Sequence, residues 1–127
     1  MTLPFNPKKG LIVIPTHLWG PTGDAIARMA LDTGATLSMM NRNIADMLGY
    51  DPVSAIEQVR MTTGSTVESA PVVAVRRIVA LQRERLDFPL VCHTLPTGTM
   101  VDGVLGLDFF RGWKLILDFQ TGWVNIE

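Results

Sequence analysis

The chain of 127 residues has little cysteine: Cys92 stands alone, which excludes an intrachain disulfide framework. Long apolar runs are missing too. The longest, such as Leu11–Ile14, span four or five residues. A membrane-crossing helix needs about 20. An excess of one charge is likewise absent. Eleven Lys and Arg face 12 Asp and Glu, for a net charge of −1. No basic stripe argues for a nucleic-acid partner, and no basic amphipathic helix argues for a membrane surface. Histidine is scarce. His17 and His93 stand at no metal-ligand spacing from Cys92 or a carboxylate, so no metal is expected. No cofactor is expected either: Gly103 and Gly106 are too close for a phosphate loop, and no Lys-Ser/Thr comes after them. The opening MTLPFNPKKG places its lysines behind two prolines rather than ahead of an apolar core, a poor signal peptide. These shortages point to a soluble protein in a reducing, cytoplasmic setting.

What remains is a greasy composition, 47% apolar against 18% charged, enough to bury one core and to argue against disorder. Residues 1–9 read as a loose arm and residues 10–127 as one domain. LIVIPTHLW reads as a strand, GPTG as a turn, and DAIARMALD as a second strand with Ile26, Met29 and Leu31 apolar. NRNIADMLG carries an N-cap at Asn41, apolar Ile44, Met47 and Leu48 at helical spacing, and a C-cap at Gly49. VRMTT and VESAPVVAVRRIVAL read as the arms of a hairpin with its tip at Gly64-Ser65. Arg83-Glu84-Arg85 reads as a solvated turn before a strand from Leu86 to His93. VLGLDFFRGW suits one short helix after Gly106. LILDFQTGWVNIE closes as a hairpin through Gln120-Thr121-Gly122.

Within MALDTGATLSMM, residues 29–40, an apolar strand ends in an acid, a threonine and a glycine. Asp and Gly are ordinary turn residues, so the triplet alone reads as a turn. An acid closing an apolar strand has no need to be there for a turn. Taken with three downstream segments, LDTGA resembles the active-site motif of the retroviral-type (retropepsin-like) aspartic proteases. NRNIADMLGY is similar to the short helix after that motif in bacterial members. RMTTGSTVESAPVVAVRRIVAL is similar to the flap hairpin and the strand behind it. VDGVLGLDFFRGWKLILDFQTGWVNIE resembles the closing segment. The match runs in order over roughly residues 10–127.

The resemblance implies an all-β fold with one or two short helices: a small, closed, barrel-like acid-protease lobe, one per chain. It implies an aspartic endopeptidase acting on peptide or protein substrates. Asp32 is then the catalytic residue. Thr33 takes the scaffold role of bonding across to a second copy, Gly34 offers its amide to the carboxylate, and Ala35 stands where pepsin-like enzymes carry serine. Thr62, Thr63, Gly64 and Ser65 become the tip of a substrate-binding flap; read from the residues alone, TTGST is a plain surface hairpin. Such hydrolysis needs two carboxylates sharing a proton, and the chain has one D-T-G. Asp102, Asp108 and Asp118 lack the Thr-Gly that would mark a second. The partner must be Asp32 of a second chain, which implies a two-fold homodimer. The family commonly joins its subunits through strands at the chain ends, here WVNIE. Trp113, Trp123, Phe109 and Phe119 are expected in the core and that seam. Two rivals stand beside this expectation: an inactive peptide-binding or dimerisation module of the same fold, and a domain in which D-T-G is only a turn. A Cys92–His93 catalytic pair is disfavoured, because neighbours on a strand point to opposite faces.

Overall fold

The computed structural model of the chain describes residues 2–51, 55–63, 65–96 and 98–127, without the side chain of Thr63. Its first hairpin joins β2 (Val13–Gly20) to β3 (Gly23–Leu31). Alternation sends Ile14, Thr16 and Leu18 of β2 inward. On β3 the inward residues are Ala27 and Met29, while Ile26 is 63% exposed. Ile26 and Met29 differ by an odd number, so a period of two cannot bury both.

Short strands β4 (Met39–Met40) and β8 (Gly103–Leu105) combine with β6 (Thr66–Ala80) and β7 (Arg83–Cys92) to complete a ring. The order is β2-β3-β8-β4-β7-β6, and pairing of Thr16 with Ala80 through Trp19 with Arg77 closes it. Closure leaves this six-strand barrel without a free edge. Strand β5 (Glu57–Thr63) adds to the outside of β6. Ile14, Leu18, Ile78, Leu90, Leu105 and Phe109 fill the interior. The mostly-β class, the closed barrel and the two short helices agree with the expectation from sequence.

Helix α1 (Arg42–Leu48) starts where the Asn41 side chain accepts from the amide of Asn43, and stops at Gly49, whose φ of 87° is costly for any residue with a Cβ. Ile44, Ala45 and Leu48 face inward, and Met47 is exposed. Helix α2 (Leu107–Phe110) has one turn. Arg85 donates to the carbonyls of Phe109 and Arg111 and lies 4.1 Å over the Trp113 ring.

Two sequence expectations change here. Arg83–Arg85 belong to β7, and the turn is Leu81-Gln82, both with positive φ (52° and 60°). Neither is a usual turn residue. Leu81 is buried, so its side chain offsets the cost of the left-handed backbone. The arm is also more ordered than expected: Thr2–Pro4 form β1, paired with β10 (Trp123–Ile126), which pairs in turn with β9 (Leu115–Asp118). Strand β10 is therefore central, with Val124 and Ile126 buried. Its two edges are occupied within the chain. Phe109 lies in the core and Trp113 packs against it, whereas Phe119 and Trp123 are exposed.

Candidate active site

Strand β3 delivers Asp32 to the mouth of the barrel. Its amide donates to the carbonyl of Leu105 on β8 at 2.9 Å, so the backbone is fixed before the loop begins. The chain then turns tightly, with the Ala35 amide donating to the Asp32 carbonyl at 3.2 Å. This turn carries Gly34 back over the carboxylate, and the Gly34 amide donates to Asp32 Oδ1 at 2.8 Å. Thr33 is exposed, and its side chain has no hydrogen-bond partner among the described residues.

The loop after Asp32 is stitched to the β8–α2 segment. The Leu107 amide donates to the Ala35 carbonyl at 2.8 Å. Asp108 accepts from the Ser38 amide at 2.9 Å and from the Ser38 hydroxyl at 2.6 Å. The same hydroxyl accepts from the Gly106 amide at 2.9 Å. A Cβ on Gly106 would lie 2.6 Å from the Ala35 carbonyl oxygen, so no other residue fits at this crossing. Sequence reasoning misses Ser38 and Asp108 as site-building residues, because the lack of Thr-Gly after Asp108 sets that acid aside. The available signal is an acid inside apolar GVLGLDFF, which must find donors if it is to be buried.

Asp32 opens onto a cleft of about 360 Å³. One wall is the loop from Gly34 to Leu37; the facing wall comes from Val59, Met61 and Thr62 on β5. Val59 and Met61 pack with Met39 on a small apolar cluster of Ala70, Val72 and Val91. The cleft can accept an extended chain with apolar side chains and present a carboxylate to it. Thr62 thus lies in the same cleft as Asp32; Ser65 is exposed at the turn, and Gly64 lies outside the described residues. No other acid lines the cleft among the described residues, nor do these hold a cluster of three His, Cys, Asp or Glu able to bind a metal.

Cys92 and His93 belong elsewhere. Burial pushes the Cys92 thiol up to about 11, with Arg42 lowering and Asp46 raising it by smaller amounts. It is a neutral, poorly nucleophilic core group. His93 faces Glu68 instead, at 3.0 Å. No helix among the described residues is long and apolar enough to cross a membrane.

A family model described as aspartyl protease matches residues 22–109, which includes the D-T-G turn and the β8–α2 segment that holds it. A search of curated proteins finds no match. Solved structures share the fold, two of them as follows. A retropepsin-like aspartic protease from Rickettsia conorii superposes with a TM-score of 0.66 at 16% identity, covering 98% of this chain and 85% of that one. The retroviral protease-like domain of Ddi1 from Leishmania major gives 0.65 at 16% identity, covering 94% and 90%. On the match over 22–109 and on this architecture, the chain belongs to the aspartyl protease family and has its retropepsin-like fold.

Proposed function

We propose that the protein is an aspartic endopeptidase that works as a homodimer, with one Asp32 from each chain. The observation that carries this reading is the Asp32 carboxylate, held by its own loop and the one acid that lines the cleft among the described residues, in a chain of the aspartyl protease family. One carboxylate cannot be general acid and general base in the same step. Two at about 3 Å hold a single proton between them. The ionised member takes a proton from water as the water oxygen bonds to the peptide carbonyl carbon. The protonated member gives its proton to the carbonyl oxygen. The resulting tetrahedral diol collapses as the carbon–nitrogen bond breaks: the amine nitrogen takes the proton that the first carboxylate drew from water, and a diol hydroxyl returns its proton to the second carboxylate, which restores the shared proton.

Thr33 and Gly34 serve as scaffold in this reading. Thr33 bonds to the second copy, and the Gly34 amide orients the carboxylate. Ala35 keeps the turn small beside Gly106. Thr62 to Ser65 crown a hairpin that covers the bound peptide, excludes water and offers it backbone pairing.

Asp32→Asn tests the assignment. It keeps the shape and an acceptor for the Gly34 amide but removes the shared proton. Cleavage of an unstructured protein should vanish, with circular dichroism and sedimentation unchanged. Full activity in the purified variant removes Asp32 from the mechanism. Binding of peptide by the wild-type chain without cleavage favours an inactive module of the same fold.

A further inference from the structure

The hairpin that carries Val59, Met61 and Thr62 leaves the barrel at a definable fork. Strand β6 pairs with β7 only from Val72 onward, where Val72 faces Val91. From Pro71 to Thr66 its ladder partner is β5. Pro71 explains the fork. The Val72 carbonyl accepts from the Ile56 amide, so the polar groups of Val72 face β5 and those of Pro71 face β7. Proline has no N–H to give there, and the ladder to β7 ends. On its other edge β7 stays paired with β4, from Met39 opposite Val91 to the His93 amide donating to the Met40 carbonyl at 3.1 Å.

A side-chain contact bridges the opening: His93 Nε2 lies 3.0 Å from Glu68 Oε2. Glu68 sits on the free part of β6, directly across from Met61 of the cleft wall. We infer that Glu68 and His93 form a clamp that holds the β5–β6 hairpin over the Asp32 cleft, and that both are positioning residues for substrate capture. Neither touches the cleft, so they act through Met61 and its neighbours on β5. The inference rests on the peptidase reading for its kinetic consequence, and on the fold alone for its mechanical one.

The pair is partly open to water, with side-chain exposures of 24% for His93 and 53% for Glu68. Partly exposed pairs have modest effects, so the clamp should change binding about two- to five-fold. It should change KM and leave the chemical step alone, because Asp32 is held by the separate loop on β8 and α2.

The experiment is a double-mutant cycle with Glu68→Gln, His93→Gln and both together, read by steady-state cleavage and by amide hydrogen exchange of the full chain. Each single variant should raise KM about two- to five-fold with kcat within about two-fold. The double variant should be no worse than either single, since one removal already opens the clamp. Amides of residues 58–62 should exchange faster in all three variants, while those of β3 and β8 stay protected. Additive losses in the double variant, or a fall in kcat with KM unchanged, would overturn the clamp. If the wild-type chain cleaves nothing, the peptidase reading fails and exchange alone decides: unchanged protection of residues 58–62 in both single variants then overturns the clamp.

Discussion

At the scale of single residues, the site depends on a serine that does no chemistry. The Ser38 hydroxyl donates to Asp108 and accepts from the Gly106 amide, and its own amide donates to Asp108. Ser38 is fully buried. Ser38→Ala leaves the Gly106 amide and one carboxylate oxygen without that partner. A buried group deprived of its bond costs about 1–3 kcal/mol. Urea unfolding should show a loss in that range; a variant as stable as wild type would mean that water replaces the hydroxyl. Asp32 itself is legible in the sequence, because an acid at the end of an apolar strand stands out against a period of two. Ser38 is not, since a buried serine looks like any other until its partner 70 residues away is placed beside it.

At the scale of elements, strands, turn signals and caps can be read wherever the signal is local. The β2–β3 hairpin and helix α1 fall where Gly, Pro and Asn mark them. The Leu81-Gln82 turn has no such mark, and the pairing of β1 with β10 joins segments at opposite ends of the sequence. The final hairpin is legible through its turn, and Asp118 is the reason that turn is firm. Its carboxylate accepts from the Gln120 amide at 2.9 Å and the Thr121 amide at 3.0 Å. The bond from the Thr121 amide, then its hydroxyl, hold the Asp118 carboxyl below its ordinary range. A carboxyl that is more acidic when folded stabilises the fold above its unfolded pKa of about 3.9 and loses that effect as pH falls through the folded value. Asp118→Ala should therefore melt below wild type at pH 6, and the gap should narrow as the pH is taken towards 2. Thermal unfolding at the two pH values checks this; a gap independent of pH would assign the effect to the turn backbone instead.

At the scale of the whole molecule, barrel closure is the least legible feature. It rests on Thr16 meeting Ala80, a pairing that no local pattern announces. The position of β10 also redirects the question of assembly. With β1 on one side and β9 on the other, β10 offers no free edge, and its buried Val124 and Ile126 tie it to the monomer core. Removing residues 123–127 would strip the fold as well as any seam, so truncation cannot isolate the dimer. Mixing chains can. Wild-type protein is combined with excess Asp32→Asn and subunits are allowed to exchange. A heterodimer carries one carboxylate and one amide, and so holds no shared proton. The only active species is then the wild-type homodimer, whose share of dimers is the square of the wild-type fraction. Activity should track that square. It should also fall on dilution below the dimer dissociation constant and recover on concentration, although an obligate interface of on the order of 2,000 Å² or more would place that constant low. Exchange must be shown separately, by mass-tagged chains. If activity falls only linearly with the wild-type fraction once exchange is complete, each chain works alone, and a dyad built from two copies of Asp32 is ruled out.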